Sequence, residues 1–592
     1  MSSRQRSPAL TRRRFLGATA ATGLGASSGC LQRVRSLFNR DSLSTLSVTI
    51  LSPPSDDDEI ASELASRIGS SLEAVGIGVE IQYLPLVELR RQVLINGDFE
   101  MFVGRMPPVA DPDCLRERLD SVYAEEPGWQ NPYSFTDLTL DGFLARQRTT
   151  AGEDRERAVD DVVGHIVREQ PFVTIGFLQS IRAVRSGKYT GWSRYGPRSP
   201  LTYLGLEGEE DLDSLRVSIT DSEITRNLNP LSAAYRENDP FLQLLYDPLV
   251  YRTEDGTLPW IAETIDWEEG ETTRATVTVR PESAWHDGVD LTAGDISFTY
   301  RFLKDTSLGE LGVAVPSPRF RGRVDLIDSV ELVDSETVVL DFGSTSRAVA
   351  RHGLTVPILP EHRWIDHTDE ANVSGFNSVS GTTDALVLSN TEPVGSGPLR
   401  FDSVTAGSSL DLRRNEEHFL HANPPESFPD HLRAGFAFER LALRTVPSHQ
   451  ASVEVLRSGT VDATAATLVP TAVPEAVGST DLSLAVKDGA TPYHLGFDTS
   501  TGPFSNPYFR RLVARLVDKG HVVEEVFEGY GDPASNPLDP SEWTADAMAF
   551  DGTDPEVPFI GTDGEVAVSE AREAFRDRGF NFNEDGKLVR RE

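Results

Sequence analysis

Cysteine is almost absent from this chain: its 592 residues include only Cys30 and Cys114. Two isolated cysteines predict no disulfide framework, so hydrophobic cores must stabilise the fold. Long apolar runs are also missing, since no stretch approaches the roughly 18 residues that cross a bilayer, which argues against an integral membrane protein. At roughly 150 residues per domain, the length indicates about three or four structural units.

Lysine is scarce as well, with five residues in the whole chain, and 92 acidic residues outnumber 56 basic ones. The formal net charge of -36 excludes a general affinity for nucleic acid, because phosphate binding requires a basic surface. An acidic, lysine-poor surface suits work in concentrated salt, where screening removes the repulsion between carboxylates. We therefore expect a halophilic source; an acidic protein from a mesophile is the alternative.

Motifs of the common enzyme classes are missing. The sequence contains no G-x-S-x-G elbow, P-loop, G-x-G-x-x-G turn or H-E-x-x-H pair. Histidines at 362 and 367 and at 418 and 421 lack the cysteine or carboxylate pattern of a metal site and are typical of surface or capping residues. Residues 581–586 with Glu592 nominally fit a calcium loop, but no helix follows, which favours a turn. We predict no enzyme activity, no metal and no cofactor.

The N-terminus has the pattern of an export signal. Residues 11–17, Thr-Arg-Arg-Arg-Phe-Leu-Gly, match the twin-arginine pattern, and a mildly apolar stretch follows. It ends in Ser-Ser-Gly-Cys at Cys30, which resembles a lipobox with Ser27 in place of the usual leucine. We predict a twin-arginine signal over 1–29, a lipid on Cys30 and a tether over 30–46. The alternative is a basic N-terminus followed by a buried cysteine.

The first part of the chain alternates between strand and helix patterns, which is typical of a doubly wound α/β lobe. The acidic run 56–59 begins the first helix, where negative charge interacts favourably with the helix dipole, and we favour this capping role over a metal site. The Gly- and Pro-rich segment 187–208 predicts a linker. Strands are predicted over 47–51, 79–82, 99–103 and 172–177, and helices over 60–75, 86–94 and 152–170.

From residue 215 onward, several separate motifs occur in a fixed order. They include Asn229-Pro230-Leu231, Tyr246-Asp247-Pro248, Ala284-Trp285-His286-Asp287-Gly288, Gly395-Ser396-Gly397-Pro398 and Tyr493-His494-Leu495-Gly496-Phe497. In this order and spacing they resemble the family 5 extracellular solute-binding proteins, whose members include dipeptide, oligopeptide, nickel and some oligosaccharide binders. The resemblance implies a two-lobed, periplasmic-binding-protein-like α/β fold of type II, with an extra subdomain in lobe 1.

The order of these segments is rotated relative to the family. Ordinary members continue the segment that resembles 571–589 with a strand and a helix, and here residues 47–190 look like that continuation. We therefore predict a circular permutation, which chains tolerate when the old ends are close together. The alternative is an N-terminal helper domain before a truncated binding lobe, which would expose a sheet edge. The predicted divisions are lobe 2 over 47–179 and 466–592, lobe 1 over 215–465, and a hinge crossing and linker over 180–214.

The resemblance places the solute in a cleft between the lobes. The implied ligand contacts are Tyr235, Arg236, Gly104, Arg105, Met106 and Trp285. A tryptophan such as Trp285 is more often a core residue than a ligand contact, which weakens this candidate.

The solute itself is less well defined by the sequence. Peptide-binding members tend to carry an aspartate in the loop after Val103, which pairs with the free amine of the peptide. Here a proline stands at the matching position, so only Asp111 could pair with the amine of a peptide in its place. An unpaired buried ammonium is costly, so peptide is the family default only, and Arg105 and Arg236 suit a carboxylate or another anion.

We expect an extracytoplasmic, lipid-anchored binding protein of an ABC importer, which captures a small solute or peptide between its lobes and delivers it to permease subunits. We expect a monomer on the extracellular face of the cytoplasmic membrane, with no nucleic-acid partner. The alternatives are a ligand-sensing receptor domain and a binder of oligosaccharide or metal chelate. A secreted hydrolase is disfavoured by the missing nucleophile and metal motifs.

Overall fold

The computed structural model describes residues 44–590 except 110, 197, 209–211, 234–239, 255, 372–380, 436 and 540. The strands of the first half are β1 (Ser44–Thr45), β2 (Ser47–Ser52), β3 (Gly78–Tyr83), β4 (Met101–Arg105), β5 (Phe172–Leu178), β6 (Ser180–Arg185), β7 (Tyr189–Thr190), β8 (Glu207–Gly208), β9 (Ser214–Ile219), β10 (Val250–Thr253), β11 (Gly256–Pro259), β12 (Ala262–Glu269) and β13 (Thr273–Val279). Those of the second half are β14 (Ser329–Leu332), β15 (Thr337–Asp341), β16 (Leu399–Thr405), β17 (Ser409–Arg414), β18 (Arg440–Thr445), β19 (Ala463–Thr464), β20 (Leu482–Lys487), β21 (Pro492–Phe497), β22 (Gly531–Pro533), β23 (Gly561–Thr562), β24 (Glu565–Val566), β25 (Asn581–Phe582) and β26 (Leu588–Arg590).

The helices connect and cover these strands. In chain order they are α1 (Ser55–Val75), α2 (Leu86–Arg90), α3 (Cys114–Leu119), α4 (Leu138–Thr149), α5 (Gly152–Glu169), α6 (Leu201–Leu204), α7 (Pro240–Gln243), α8 (Ala293–Lys304), α9 (Arg321–Val324), α10 (Arg347–Ala350), α11 (Glu361–Trp364), α12 (Asp384–Val387), α13 (Phe419–Ala422), α14 (Asp430–Arg433), α15 (His449–Arg457), α16 (Val473–Val477), α17 (Pro507–Ala514), α18 (Lys519–Glu525) and α19 (Val568–Asp577). A π-helical turn over Arg91–Asn96 extends α2.

Two sheets form the centres of two α/β lobes. A six-stranded sheet in the order β22-β5-β21-β4-β2-β3 combines strands from both ends of the chain, and we call the part built on it lobe 2. A seven-stranded sheet in the order β16-β17-β18-β9-β19-β6-β20 comes from one continuous stretch, and we call that part lobe 1. Lobe 1 also contains a four-stranded antiparallel sheet, β12-β13-β15-β14, whose apolar face packs into the same core.

Lobe 2 joins the beginning and the end of the chain tightly. Strand β21 lies between β4 and β5 and is antiparallel to both. At the opposite edge of the lobe, Ser44 pairs with Arg590, and the Leu46 N–H donates to Leu588 O at 2.8 Å. The first and last described segments therefore pair with each other, and their Leu46 and Leu588 belong to one hydrophobic core.

The long helix α1 shows how the sequence produces this packing. The large apolar residues of its predicted face recur at helical spacing and are all buried: Ile60, Leu64, Ile68, Leu72 and Val75. The helix ends at Gly76, whose φ of 104° is in the left-handed region, and a Cβ there would lie 2.1 Å from the carbonyl oxygen of Gly586. Only glycine allows this approach between the first and last segments.

Two adjacent connections join the lobes. A single residue, Gln179, separates β5 of lobe 2 from β6 of lobe 1, and residues 488–491 separate β20 from β21. Strand β20 pairs with β6 in the seven-stranded sheet, so the chain stays in lobe 1 up to Lys487. The boundary expected at 465/466 is therefore moved to 488–491, because residues 466–487 add an edge strand and α16 to lobe 1.

The predicted linker over 187–208 is wrong. This segment forms the β7-β8 hairpin and α6, and Trp192, Leu201 and Tyr203 are at most 7% exposed. The buried Arg182 guanidinium lies over the rings of Trp192 and Tyr203, at 5.2 and 5.1 Å. The Gly and Pro content of the segment reflects its tight turns and not solvent exposure.

Two of the sequence motifs of lobe 1, at 246–248 and 395–398, meet at one buried carboxylate, Asp247. It accepts hydrogen bonds from Trp260 Nε1 at 2.7 Å and Ser396 Oγ at 3.1 Å, and His418 Nε2 lies 3.2 Å away. Beside it, a Cβ at Gly395 would lie 1.8 Å from a backbone oxygen. Segments that are far apart in the sequence thus contribute to one buried polar network in the lobe 1 core.

Candidate functional site

The carboxyl ends of the parallel strands of the two lobes face each other, and we call the region between them the cleft. In lobe 2 these are β2, β3 and β4, and in lobe 1 they are β9, β18 and β19. Open α/β sheets bind ligands at such edges, because loops and helix N-termini converge there. The lobes are in contact across the cleft, where Thr471 Oγ1 of lobe 1 lies 3.3 Å from Glu59 Oε2 of lobe 2.

Asp58 organises the lobe 2 wall of the cleft. It interrupts the helical geometry of α1 with φ -152° and ψ 95°, and its Oδ1 accepts from the Ala61 N–H at 3.1 Å, so it caps the helical turns that follow. The same carboxylate accepts from Arg105 Nε at 3.1 Å and from the Tyr493 hydroxyl at 2.9 Å. The predicted capping role of the acidic run is thus found at Asp58, which also holds a cleft arginine.

The Arg105 guanidinium has a fixed orientation. It lies 4.9 Å from the centre of the Tyr493 ring, and its side chain is 22% exposed. Arg105 comes from the end of β4 and Tyr493 from β21, which are paired strands. The structure therefore brings together residues from opposite ends of the chain to present a cation and a carboxylate side by side.

His449 is the corresponding polar residue of lobe 1. It is the first residue of α15, whose N-terminus Ser448 caps by accepting from the Ala451 N–H at 3.1 Å. Burial and the nearby Arg105 lower the pKa of His449 to about 4, against the opposing effect of Asp58. The imidazole is thus neutral at pH 7, so one ring nitrogen donates and the other accepts.

Gly104 contributes backbone to this wall. Its carbonyl oxygen lies 3.0 Å from His494 Nδ1, and the other ring nitrogen lies 3.0 Å from the Tyr133 hydroxyl. Burial lowers the pKa of His494 to about 3, so the ring is neutral, donates from Nδ1 and accepts at Nε2. His494 thereby fixes the backbone that carries Arg105.

Two of the predicted contact residues lie elsewhere. Met106 is fully buried, packs in the lobe 2 core with Leu51 and Phe102, and is not at the cleft surface. Trp285 is 1% exposed and belongs to the lobe 1 core. Large apolar side chains next to a binding loop usually complete the core beneath it. Tyr235 and Arg236 lie outside the described residues, as does Cys30.

Asp111, the expected counter-charge for an amine, already has partners. Its Oδ1 accepts from Arg155 Nη2 at 2.5 Å, and its Oδ2 lies 3.2 Å from Nε2 of His352, a lobe 1 residue. Burial acts to raise the pKa of Asp111, but His352 and Arg155 lower it well below the usual range. A solute ammonium would have to displace the Arg155 guanidinium and the His352 imidazole from this carboxylate.

Asp58, Tyr493 and His449 were missed as site residues from the sequence. Asp58 comes shortly after the predicted strand 47–51, so the carboxyl-end rule offered a signal for it, whereas the strand that precedes His449 was not among the predicted ones. No sequence signal indicated Tyr493, because its position depends on pairing between distant strands. Among the described residues, no group of three or more His, Cys, Asp or Glu side chains is arranged to hold a metal ion.

Comparison with known proteins identifies the family. The model of bacterial extracellular solute-binding proteins, family 5 Middle, matches residues 257–589, which is more than half of the chain. The chain belongs to this family. In the part of this family 5 protein that the structure describes, no helix is both long and apolar enough to cross a membrane.

Individual relatives are distant from this family 5 protein. Heme-binding protein A of Haemophilus influenzae is 24% identical over 43% of each chain, and the oligopeptide-binding protein AppA of Bacillus subtilis is 23% identical over 45% of this chain and 43% of its own. The chain thus spans less than half the length of these curated relatives.

The solved structures that resemble this chain are also distant from it in sequence. NikZ of Campylobacter jejuni, in complex with Ni(L-His), is 18% identical with a TM-score of 0.44 over 64% of this chain and 65% of its own. AppA of Bacillus subtilis, in complex with a nonapeptide, is 17% identical with a TM-score of 0.43 over 64% and 66%.

Proposed function

We propose that this protein is the extracytoplasmic substrate-binding lipoprotein of an ABC importer, which encloses a small solute between its lobes and delivers it to a permease. The observation that carries the proposal is the double connection between the lobes. Two α/β lobes between which the chain crosses at the adjacent positions 179 and 488–491 can rotate about those crossings. A solute that touches both lobes then favours the closed state, and the permease can recognise closure.

The cleft walls favour a solute of balanced polarity. Lobe 2 offers the Asp58–Arg105 pair, whose charges compensate each other, and lobe 1 offers the neutral His449. Since Asp111 is paired with Arg155 and His352, a free amino terminus is not required for binding. We therefore infer that a peptide, the family default, would be held through its backbone and not through its amine; oligosaccharides and metal chelates remain competing solutes.

A thermal-shift screen in concentrated salt tests this function. The solutes are oligopeptides with free and with acetylated amino termini, oligosaccharides and nickel–histidine chelates. A solute at a hundred times its Kd should stabilise the protein by about 2.7 kcal/mol. The free and acetylated forms of a binding peptide should shift the melting temperature equally. A solute-dependent shift that disappears on acetylation would contradict the role assigned to Asp111, and no shift with any class would contradict the function.

A matched pair of variants places the binding site. Arg105→Gln removes a cleft cation, whereas Arg67→Gln removes an arginine whose pair with Glu63 lies on the exposed face of α1. Only Arg105→Gln should weaken the response to the solute. An equal response in both variants would exclude Arg105 from the site.

We also propose export by the twin-arginine pathway and lipidation of Cys30, since the pattern over 11–17 and the Ser-Ser-Gly-Cys sequence support both. Replacing Arg12 and Arg13 together by Lys should leave the chain in the cytoplasm. Cys30→Ser should release the exported chain from the membrane, as detected by fractionation. Release of the unchanged protein would contradict the lipid anchor.

The circular permutation is supported by the pairing of Ser44 with Arg590 and by the position of β21 between β4 and β5. Lobe 2 would then have been continuous through the present chain ends. A chain in which residue 590 is linked to residue 44 and new ends are opened within 196–199 should fold and bind the same solute. The control opens the relinked chain inside α8 and should not fold. Failure of the first chain alone would contradict the permutation.

A further inference from the structure

Lobe 1 carries a group of arginines that lack acidic partners. Arg323 lies in α9, Arg351 begins a 3-10 turn that follows α10, and Arg252 lies in β10. Among the described residues, the side chains of Arg323 and Arg351 have no ion pair and no hydrogen bond. Since the chain has 92 acidic residues for 56 basic ones, this lack of partners does not come from a shortage of acids.

The backbone brings these arginines together. A Cβ at Gly353 would lie 3.3 Å from the carbonyl oxygen of Arg323, so α9 is in direct contact with the turn that begins at Arg351. The Arg351 guanidinium lies beside Gly256 of β11, because a Cβ there would be 3.8 Å from Arg351 Nη1. Strand β11 pairs with β10, which carries Arg252. Three arginines from three segments thus lie in one region of lobe 1.

This region lies at the boundary with lobe 2. Arg116 of lobe 2 donates to the carbonyl oxygen of the residue before Arg323, at 2.7 Å. Arg252 Nη1 lies 3.2 Å from Nδ1 of His352, whose Nε2 lies 3.2 Å from the carboxylate of Asp111 in lobe 2. An ion bound by the arginines would therefore lie next to lobe 2.

The charges of these arginines act on one another. Desolvation lowers the pKa of Arg252, and the positive charges of Arg351 and Arg323 lower it further, while Asp111 opposes them. Asp111 cannot neutralise the group, because it already accepts from Arg155 Nη2 at 2.5 Å. The arginines therefore repel one another in a chain whose formal net charge is -36.

Two further acids lie near α9, and in the described part of the chain neither forms an ion pair with Arg323. Asp325 accepts from Arg321 Nη1 at 2.8 Å. Glu117 of lobe 2 packs against Gly322, where a Cβ would lie 2.5 Å from its carboxyl carbon. Glu117 can compensate one of the three guanidiniums at most, so the region keeps a surplus of positive charge.

We propose that Arg323 and Arg351, with Arg252 beside them, form a binding site for a carboxylate or phosphate group. A guanidinium binds two oxygens of such a group by paired, charge-assisted hydrogen bonds, a geometry that a spherical chloride ion cannot match. A bound oxyanion also replaces the repulsion between the arginines by attraction. The site goes beyond the proposed function, since it uses neither Arg105 nor His449, and its ligand is either a free ion or the acidic end of the solute.

Equilibrium dialysis with labelled inorganic phosphate tests the site on the full chain in concentrated KCl. The wild type should bind phosphate saturably. Arg323→Gln combined with Arg351→Gln should weaken this binding by about tenfold or more, because charge-assisted hydrogen bonds are lost. The matched control combines Arg226→Gln with Arg274→Gln, two exposed arginines of lobe 1 that each have an acidic partner. It changes the net charge equally and should bind phosphate as the wild type does.

A pair of peptides identifies the source of the acidic group. Tetra-alanine with a free carboxyl end is compared with its C-terminal amide in the wild type and in both double variants. If the group belongs to the solute, the peptide with the free carboxylate should bind more tightly than the amide and displace phosphate, and this preference should disappear without Arg323 and Arg351. If the site takes a free ion, phosphate should bind and neither peptide should displace it.

Thermal unfolding without phosphate shows whether the variant of Arg323 and Arg351 is folded. It should unfold at the wild-type temperature or above it, because the substitutions remove like charges and leave no acid without its partner. If it does not fold, Arg351→Gln alone replaces it. No phosphate binding by the wild type, or equal binding by both double variants, would overturn the site. Since the dialysis uses no solute, a solute screen that fails contradicts the proposed function and leaves this result unaffected.

Discussion

The two lobes have similar architecture but different assembly. Lobe 1 is made from one continuous stretch, whereas lobe 2 takes β2 to β5 from the beginning of the chain and β21 and β22 from its end. Its central strand pairing, β21 with β4, joins residues about 390 positions apart, as the His494–Gly104 contact shows. Such long-range pairing costs loop-closure entropy before the strand contacts stabilise the fold. Lobe 1 also contains long-range pairings, β9 with β18 and β6 with β20, but they close within one continuous stretch, while lobe 2 can form only when both ends of the described chain are present.

Core truncation gives the largest expected effect and should separate the lobes. Leu495→Ala in β21 and Leu443→Ala in β18 each remove a fully buried leucine, at a cost of about 2–5 kcal/mol. We expect two unfolding transitions by calorimetry, with Leu495→Ala shifting only that of lobe 2 and Leu443→Ala only that of lobe 1. One transition shifted equally by both variants would mean that the lobes unfold as a single unit.

Two lysines, one buried in lobe 2 and one partly exposed in lobe 1, give a second contrast between the lobes. In lobe 2, Lys519 and Asp554 form a pair at 2.5 Å with side chains 2% and 4% exposed, so Lys519→Met leaves a buried carboxylate unpaired at a cost of about 3–5 kcal/mol. In lobe 1, Lys188 is 26% exposed and its partner Asp462 keeps Arg216, so Lys188→Met should cost about 1 kcal/mol or less. Denaturant unfolding measures the loss of stability in each variant. Equal losses would contradict the expectation that only the buried pair of lobe 2 contributes strongly.

Acid should weaken both lobes through neutral buried histidines. The pKa of His494 in lobe 2 is lowered by burial to about 3 and that of His286 in lobe 1 to about 4, below the ordinary value of 6.5. The unfolded chain then binds more protons below pH 6.5, so stability falls as the pH is lowered. Between pH 7 and 5 each histidine should account for about 2 kcal/mol.

The matched variants for this pH dependence are His494→Gln and His286→Gln. Each should flatten the fall in the free energy of unfolding of its own lobe between pH 7 and 5, whatever its effect at pH 7. A slope that stays as steep as in the wild type would show that the substituted histidine is not the group responsible.

Helix caps give the smallest expected effect. Thr292 forms a capping box with Asp295 at the start of α8 in lobe 1, and Thr292→Ala should destabilise that lobe by about 1 kcal/mol. In lobe 2, Asp58→Asn keeps a good capping residue and should change stability less, while it removes the charge that holds Arg105. A larger stability loss in Asp58→Asn than in Thr292→Ala would mean that the ion pair, and not the cap, dominates at this position.

Short-range features of the fold were predictable from the sequence. Each of these features depends on residues close together in the chain. They are the strand at 47–51, the apolar face of α1 and the strand at 172–177. The motifs around Asp247 and Gly395 identified the family because each has a fixed place in one buried network. The segment 187–208 was read wrongly, since Gly and Pro mark turns in an exposed linker and in a packed hairpin alike.

The amino-acid sequence by itself determined the family, the α/β character of both lobes and the unusually acidic composition, because these follow from local periodicity, ordered motifs and residue counts. Only the tertiary structure decided that Met106 and Trp285 are core residues, that Asp111 is already paired, and that Asp58, Arg105, Tyr493 and His449 meet at the cleft. The physical reason is distance along the chain: these contacts join segments up to several hundred residues apart, and nothing in the sequence near either partner specifies the other.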